Sequence, residues 1–296
     1  MSAVQIVPEY PPKIGGVSSY AAKLACSFQA FAEPLHTIVT CNNHALESTD
    51  TVSRLASPTK EKILKKLEEL GTTSVLLHFS GYGYARWGLC YWLVESLSAW
   101  KKNKNDRKLI TLFHEVYATG PIWRASFWTS PPQRQIAEKI ARLSNTAFVT
   151  SQGGYERLKP LHPKLAVEVL PVFSNVGEPE EIFPLHLREG IAVVFGGTGR
   201  RSSTYRAFEN QEDDLVAGFN RLSIKKVIDI GPGNCAPEHL AGFPVQTLGT
   251  LADEIIFDWL QHARVGLSAY PLPMMPKSSI WAAYFAHGLL AVNVSG

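Results

Sequence analysis

The chain has few cysteines and no long hydrophobic run, and both features limit the kind of protein it can encode. Its four cysteines show neither CxxC spacing nor nearby paired histidines, which indicates buried or free thiols in a reducing compartment: Cys26, Cys41, Cys90 and Cys235. No apolar stretch reaches the roughly 18 residues of a membrane span, and no basic segment with an apolar core opens the chain. We therefore expect neither a transmembrane helix nor a signal peptide, and a cytoplasmic location that includes the inner membrane surface.

Charge is also scarce, since charged residues make up only 19% of the chain and the formal net charge is +3. A surplus this small does not argue for nucleic acid, so we expect no nucleic acid partner, although a local basic site for an anionic substrate is compatible with it. Hydrophobic residues make up 45% of the 296 residues, which is typical of a packed globular protein with room for two domains.

Short apolar runs alternate with longer amphipathic segments along most of the chain. The runs predict strands at 4–7, 36–40, 74–78, 109–113, 146–150, 166–170, 191–195, 226–230 and 265–268. Helices are predicted at 18–31, 59–70, 88–102, 133–142, 154–158, 210–220, 252–262 and 278–287. Repeated β–α alternation predicts an α/β fold with parallel sheets and right-handed crossovers.

The segment 174–189 is rich in Pro, Gly and acidic residues, has no clear period and precedes a new strand. We place the domain boundary there, with an N-terminal domain at 1–175, a linker at 176–190 and a C-terminal domain at 191–296. Two αβα layers joined in this way usually enclose a cleft at the carboxyl ends of their strands.

Two glycine-containing turns follow predicted strands and suit an anion. Gly15 and Gly16 stand between the first strand and a helix, where the backbone can approach a ligand and the first helical turn leaves N–H groups unpaired. The run 196–201 follows a later strand and allows two interpretations: a dinucleotide fingerprint, or a loop whose Arg201 and Arg206 clamp a diphosphate. The third glycine of the fingerprint would fall at Ser202, and 202–205 begins a helix poorly, so we favour the clamp.

Polar side chains lie at the ends of two neighbouring predicted strands. His114 and Glu115 follow one strand, and His78 ends the strand before it, so an imidazole pair and a carboxylate are predicted at the open edge of the sheet. Later, Lys277, Ser278 and Ser279 precede a helix that either serine could cap, which makes this turn a second candidate anion site.

Taken together, the motifs resemble those of GT-B glycosyltransferases of the family-four type, across nearly the whole chain. The resemblance rests on the motifs GGVxxY at 15–20, His-Glu at 114–115, Thr-Ser at 150–151, IDIGPG at 228–233, LGTL at 248–251 and AYFAHGLLAV at 283–292. It implies two Rossmann-like domains facing across a cleft, and transfer of a sugar from a nucleotide-diphosphate donor to a hydroxyl acceptor, a glycan or a lipid-linked saccharide, with retained configuration.

The resemblance also implies roles for individual residues. His114 would contact the donor sugar and, with Glu115, form the catalytic pair. The donor-binding set would be Gly15, Gly16, Arg200 or Arg201, Arg206, Gly231, Lys277, Ser278 and Ser279. Acceptor contacts would come from Tyr20, His78 and Tyr82, and peripheral membrane contact is a further expectation. No metal or other cofactor is expected, because cations and helix ends can neutralise the diphosphate and no DxD triplet occurs.

The sequence departs from the family pattern in two ways. The two glutamates that the family usually carries, eight residues apart, are replaced by Met275 and Ala283, counting back from Gly288. The chain also ends at Gly296, where family members usually continue, so we expect a second domain that is incomplete. The missing glutamates keep a non-catalytic nucleotide-sugar-binding relative as an alternative, and the glycine run 196–199 keeps an NAD(P)-dependent oxidoreductase as another.

Overall fold

The computed structural model describes residues 3–13, 15–31, 34–40, 48–102, 104–209 and 211–294, and Cys41 lies outside these ranges. The chain divides into two compact units, Met1–Pro171 and Val172–Gly296. Each unit is built on a largely parallel sheet, as the alternation of strands and helices predicts.

The first unit contains a seven-stranded parallel sheet in the order β3-β2-β1-β4-β5-β6-β7. Its strands are β1 (Ala3–Val7), β2 (Leu35–Val39), β3 (Val52–Arg54), β4 (Ser74–Phe79), β5 (Lys108–Phe113), β6 (Thr146–Val149) and β7 (Ala166–Val169). Its helices are α1 (Gly16–Ala30), α2 (Lys60–Glu69), α3 (Gly81–Tyr84), α4 (Tyr91–Lys101), α5 (Ala125–Leu143) and α6 (Gln152–Leu158).

The second unit contains a six-stranded sheet in the order β10-β11-β9-β8-β12-β13, in which only the short edge strand β10 is antiparallel among the described strands. Its strands are β8 (Glu189–Phe195), β9 (Lys226–Ile230), β10 (His239–Leu240), β11 (Phe243–Gly249), β12 (Ala263–Ser268) and β13 (Leu290–Asn293). Its helices are α7 (Thr198–Glu209), α8 (Glu212–Arg221), α9 (Asp253–His262) and α10 (Ser279–Ala286).

Strand β8 shows how the second unit buries both faces of its sheet. Val193 packs in one apolar cluster together with side chains of α9 and α10. Val194, the next residue along the strand, packs in another cluster together with side chains of α7 and α8. Because successive strand residues point to opposite faces, the sheet is covered on both sides, and the unit is a three-layered αβα domain.

The structure differs from the predicted elements mainly near the two arginines and near the linker. Helix α7 begins at Thr198, so 202–205 lies inside a helix and does not start one. The division between the units falls at 171/172, and Val176, inside the predicted linker, packs in the core of the second unit. Helix α5 begins at Ala125, eight residues before the predicted start, and includes two prolines near its middle.

Each sheet reverses the direction in which strands are added. From β1 the chain adds β2 and β3 on one side and then places β4 on the other; from β8 it adds β9 and β11 and then places β12 opposite. Connections leave such a strand in opposite directions, so a crevice opens at the carboxyl ends of β1 and β4, and another at those of β8 and β12.

Across the part of the chain that the structure describes, no helix is both long enough and apolar enough to cross a membrane.

The packing of Tyr284 against β12 gives a stability prediction. A Cβ on Gly266 would lie 2.6 Å from the ring of Tyr284, which is fully buried, so we expect Gly266→Ala to lower the free energy of unfolding by about 1–3 kcal/mol. Gly218 in α8 is the matched control, because a Cβ there meets nothing within 4 Å and alanine favours helix, which should add up to about 1 kcal/mol. Urea unfolding of both variants measures this, and equal effects would contradict the packing argument.

Candidate functional site

The crevice of the first unit brings together the predicted histidines. β1, β4 and β5 are neighbours in the sheet, so the residues at their carboxyl ends lie side by side. His114, directly after β5, donates its backbone N–H to the carbonyl of Phe79 at the end of β4, at 2.9 Å. This bond holds the turn after β5 against β4 and places the His114 ring beside His78.

A chain of hydrogen bonds links His114 to the centre of the sheet. His78 Nδ1 lies 3.1 Å from His114 Nε2, and His78 Nε2 lies 3.0 Å from Gln5 Oε1 on β1. Gln5 Nε2 donates to the carbonyl of Ala21 at 3.1 Å and to Thr37 Oγ1 at 2.7 Å. Every polar atom of Gln5 and His78 therefore has a partner, which is what burial of these side chains requires.

Tyr20 packs on both histidines. Its ring meets His114 edge-on at 5.3 Å between centroids and His78 at 5.9 Å, while the two imidazoles lie nearly parallel, 5.4 Å apart. Burial strongly lowers the pKa of His78, and the neighbouring His114 lowers it further, so His78 is neutral at physiological pH. Burial also raises the pKa of Tyr20.

His78 has no exposed surface, and Tyr20 is only 7% exposed. The prediction that His78 contacts the acceptor is corrected on this ground, because no ligand atom can reach a fully buried ring. Tyr20 lies on α1 behind the same two rings and supports them. Tyr82, the third predicted acceptor residue, is 45% exposed on α3 and remains a candidate.

His114 is half-buried, and Glu115 is exposed at the rim of the crevice. Ser80, at the end of β4, lies with its hydroxyl 3.5 Å from Glu115 Oε2, at the limit of a hydrogen bond. The structure thus brings the predicted catalytic pair to one edge of the first unit: an imidazole held from behind and a carboxylate open to solvent.

The turn after β1 lies at the same edge. Helix α1 begins at Gly16 with Gly15 as its N-cap, and no side chain caps it, so its first-turn N–H groups lack a capping partner. A Cβ on Gly15 would overlap the carboxylate of Glu9, which pairs with Lys13 at 2.6 Å, whereas a Cβ on Gly16 would meet nothing within 4 Å. A side chain at position 15 would therefore displace the flexible Glu9 carboxylate from Lys13, whereas Gly16 leaves its side of the backbone open to a ligand.

In the second unit, two helix N-termini converge on the crevice between β8 and β12. Helix α7 begins directly after β8, and α10 begins after the loop that follows β12. The two are adjacent, because a Cβ on Gly196 would lie 2.5 Å from Ile280 in the first turn of α10. Unpaired first-turn N–H groups and two positive dipole ends make this edge suitable for an anion.

Arg201 is fully buried and is committed to the fold. Its guanidinium pairs with Asp229 at the end of β9 and donates to the carbonyls of Gly196, Pro232 and Gly233, while the Tyr205 hydroxyl donates to the other Asp229 oxygen at 2.6 Å. This geometry corrects the prediction that Arg201 binds the diphosphate, since its N–H groups already donate to the protein. It fixes the loops after β8 and β9.

Gly231 packs against the same Arg201 side chain and the same loop after β8. It has φ +147°, and a Cβ there would overlap the Gly196 carbonyl and lie 2.8 Å from Arg201 Nε. Its role is therefore close packing of the two loops on which the helix N-terminus rests.

Arg200 and Arg206 lie in different places. Arg200 is half-buried, donates Nη1 to the carbonyl of Ala269 at 2.8 Å and stacks its guanidinium 4.0 Å from the ring centroid of Tyr270, in the loop after β12. Arg206 is exposed and lies two turns further along α7, about 12 Å from the helix start. Of the two, only Arg200 is held at the crevice.

The turn predicted as a second anion site forms the start of α10. Ser278 is its N-cap, and its hydroxyl accepts from Trp281 N at 3.3 Å. The Ser278 hydroxyl is therefore already used inside the helix, whereas Ser279 is the first helical residue. Lys277 is half-buried immediately before the cap. Among the described residues, no group of three His, Cys, Asp or Glu side chains is arranged to hold a metal ion.

Three residues of these sites were not identified from the sequence: Gln5, Asp229 as a buried counter-ion, and Tyr270. Gln5 and Asp229 are polar residues inside otherwise apolar strands, which is the signal that could have revealed them. Tyr270 gave no comparable signal.

Comparison with known proteins gives the fold. No protein-family model and no curated protein matches the sequence. Among solved structures, the chain is similar to an alpha-glucosyltransferase in complex with UDP and a DNA 13-mer containing an HMU base (12% identity, 98% of this chain, 79% of that one, TM-score 0.60). It is also similar to an E. coli trehalose-6-phosphate protein bound with UDP-2-fluoro glucose (9% identity, 99% of this chain, 88% of that one, TM-score 0.55). A third similar structure is a lipopolysaccharide outer core galactosyltransferase (13% identity, 99% of this chain, 80% of that one, TM-score 0.51).

These likenesses show that the chain has the GT-B fold, as the sequence motifs predict. They also correct one expectation. The small net charge led us to exclude a nucleic acid partner, yet the alpha-glucosyltransferase with this fold is complexed with DNA. A net charge summed over a whole chain therefore does not decide whether such a fold meets nucleic acid.

The buried ion pair predicts a large loss of stability when one partner becomes neutral. Asp229→Asn keeps the shape but leaves the Arg201 guanidinium without a counter-charge, so we expect the free energy of unfolding to fall by about 3–5 kcal/mol. The control Glu238→Gln neutralises an exposed carboxylate and should change it by less than about 0.5 kcal/mol. Urea unfolding measures both, and a small effect at 229 would contradict a structural role for the pair.

The neutral state of His78 predicts a pH-dependent stability. Above pH 6.5 the ring is neutral in both the folded and the unfolded chain; below it, the unfolded chain takes up a proton that the folded one excludes. The free energy of unfolding should therefore fall as pH falls below 6.5, by up to about 1.4 kcal/mol per pH unit from this residue. Urea unfolding at pH 7.5 and 5.5 should show a smaller difference in His78→Gln than in the unchanged protein; equal differences would contradict this.

Proposed function

We propose that this protein is a glycosyltransferase that moves a sugar from a nucleoside-diphosphate donor to a hydroxyl acceptor, with retained anomeric configuration. The observation that carries the proposal is the edge of the second unit, where the N-termini of α7 and α10 and the cation Arg200 converge at a topological switch point. That arrangement suits a diphosphate, and the GT-B fold is one on which UDP-binding proteins are built.

The proposed chemistry follows from where charge develops. Breaking the anomeric C–O bond leaves negative charge on the diphosphate, and preorganised N–H groups, helix ends and the side chains of Arg200 and Lys277 would stabilise it. These groups are already in place, so little reorganisation accompanies the reaction.

In the first unit, His114 would contact the transferred sugar, and Gly16 would leave room for the ligand at the start of α1. Glu115 and Tyr82 are exposed beside this crevice and are our candidates for acceptor contact. Arg201 and His78 contribute indirectly, by fixing the loops and rings that face the ligand.

Donor binding is tested by thermal shift with UDP, GDP, ADP and their sugars, with NADP as the control for an oxidoreductase. A ligand at one hundred times its dissociation constant should add about 2.7 kcal/mol of stability. Arg200→Ala should weaken binding of the effective nucleotide about 10- to 100-fold, because it removes charged hydrogen bonds. Arg206→Ala, a matched change two turns away on the same helix, should leave affinity unchanged.

A stabilising effect of NADP alone would overturn the proposal. Equal losses of nucleotide affinity in the two arginine variants would also overturn it, because they would indicate a general effect of charge and not a specific site.

The acceptor is identified by offering the loaded protein DNA that contains an HMU base beside a panel of saccharides. DNA belongs in the panel because an alpha-glucosyltransferase of this fold is complexed with it. Incorporation of labelled sugar names the acceptor class, and NMR of the product's anomeric proton tests retention.

A second candidate function is nucleotide-sugar binding without turnover. It is favoured by the absence of carboxylates at the two positions where the family that the sequence resembles has glutamates. Met275 stands at one, in a short 3₁₀ helix before α10, and Ala283 at the other, fully buried in the core. Isothermal titration that shows donor binding, with neither hydrolysis nor transfer to any acceptor, would support this candidate over the enzyme.

A further inference from the structure

A cavity of about 620 Å³ lies at the edge of the second unit opposite the crevice where α7 and α10 begin. Strands β8, β9 and β12 start at this edge, and their first or second residues, Glu189, Lys226 and Arg264, line the cavity. Because β8 runs for seven residues from this edge to the crevice, the two places are about 20 Å apart. The volume is in the range of cavities that hold small molecules.

Positive charge is concentrated around the cavity. Four cationic side chains line it, Arg188, Lys225, Lys226 and Arg264, together with one carboxylate, Glu189. Within the part of the chain that the structure describes, none of these four cations has a carboxylate oxygen within 4.0 Å. The formal net charge of the whole chain is only +3, so a bound anion would balance a strong local excess.

Arg188 is the most unusual of these cations, because its side chain is buried, with 3% of its surface exposed. Its guanidinium donates to three backbone carbonyl groups at 2.6–3.0 Å, which satisfy N–H groups but carry no net charge. Arg201, the other buried arginine among the described residues, pairs with the carboxylate of Asp229. Burial of a charge is costly without a counter-charge, and within the described chain Arg188 lacks the counter-charge that Arg201 has.

The backbone holds the other cavity groups in place. Arg264 donates Nε to the carbonyl of Arg188 at 2.9 Å and Nη1 to the carbonyl of Leu222 at 2.7 Å, and its Nη2 has no partner among the described residues. The backbone N–H of Lys225 donates to the carbonyl of Gly190 at 2.7 Å, which fixes the loop after α8 against β8. A guanidinium that is fixed in advance loses little freedom when a ligand binds.

We propose that this cavity is a second anion site and that it takes the phosphate group of a small organic phosphate. A guanidinium fork beside ammonium groups matches the three acceptor oxygens and the nearly double negative charge of such a group. The volume that remains beside one phosphate would hold the organic part. The bound phosphate would also supply the counter-charge for Arg188. The site lies at the other edge of the sheet from the proposed donor site, so it does not depend on the proposed function.

The location of the site is tested by backbone amide NMR of the full chain, titrated with inorganic phosphate at pH 7.5 and constant ionic strength. Signals of residues 189–191 and 223–226 should shift and reach saturation at millimolar phosphate. Shifts confined to residues 196–200 and 278–280 would mean that phosphate binds only at the crevice, and they would overturn the proposal. A titration without saturation at the cavity residues would overturn it as well.

Two lysine variants test whether the cavity charge is specific. Lys225→Glu should weaken phosphate binding at the cavity about 10-fold or more, because it replaces a cation by a carboxylate beside the bound anion. Lys164→Glu makes the same change of charge at an exposed position in the first unit and should alter the affinity by less than about twofold. Both side chains are exposed, so the melting temperatures without phosphate should show that both variants fold. Equal losses of affinity would overturn the proposal.

A comparison with Arg200→Ala separates the cavity from the crevice. Lys225→Glu should lose phosphate at the cavity and keep its affinity for the nucleotide found by thermal shift, whereas Arg200→Ala should show the reverse. Loss of phosphate at the cavity in Arg200→Ala would overturn the proposal. If no nucleotide binds the unchanged protein, the proposed function fails, while the phosphate titration still decides the cavity.

The ligand class is tested with glycerol phosphate in place of inorganic phosphate. It should bind the cavity at least as tightly as inorganic phosphate, because the cavity has room for the organic part. Binding of inorganic phosphate together with exclusion of glycerol phosphate would overturn the assignment to an organic phosphate.

Discussion

The order in which strands join each sheet is the constraint on which both candidate sites depend. In each unit the first strand lies inside the sheet, because later strands were added first on one side and then on the other. The helical connections on the two sides diverge, which leaves the carboxyl ends of β1 and β4, and of β8 and β12, uncovered. Backbone N–H groups and polar side chains can be exposed there without opening the core.

The two units bury polar groups near these edges in different ways, and the difference follows from the chemistry of the side chains. His78 can lose its proton, so it is buried as a neutral ring that needs only one acceptor and one donor. Arg201 cannot lose its proton, so its burial requires the carboxylate of Asp229 together with several carbonyl groups.

This difference decides which residues remain available to a ligand. A guanidinium that satisfies its donors on the protein has little left for a ligand, so of the two adjacent arginines Arg200 is the one that keeps N–H groups near the crevice. In the first unit, His78 uses both of its ring nitrogens on Gln5 and His114 and has none left for a ligand. Full burial therefore removes both Arg201 and His78 from direct contact with a ligand.

Much of the fold could be predicted from the sequence, because strands such as β9 and β8 are apolar runs whose limits are set by local pattern. Strand β3 and the pair β10 and β11 could not, since they are short or largely exposed and owe their pairing to the rest of the sheet. Helix α7 was missed because its two serines and two threonines are weak helix formers, and tertiary contacts of Arg201 and Tyr205 decide the outcome.

The site was predictable to a similar extent. The sequence places His114, Glu115 and the glycine turns at strand ends, which needs only the β–α pattern. It does not say which of two adjacent arginines faces inward, since a shift of one residue on a helix rotates a side chain by about 100°. That choice depends on the carboxylate of Asp229, 28 residues away, and only the packed structure brings the two together.

The absent carboxylates have a physical consequence for donor recognition. Ala283 is fully buried against the sheet, so a carboxylate at this position would lose its hydration without a described partner at hand. The groups that the second unit places at its crevice are therefore a cation, helix ends and backbone groups, which suit a diphosphate but do not distinguish one sugar from another. The crevice of the first unit differs in that it carries the imidazole of His114 and the carboxylate of Glu115, two groups that can tell one hydroxyl arrangement from another by hydrogen bonding.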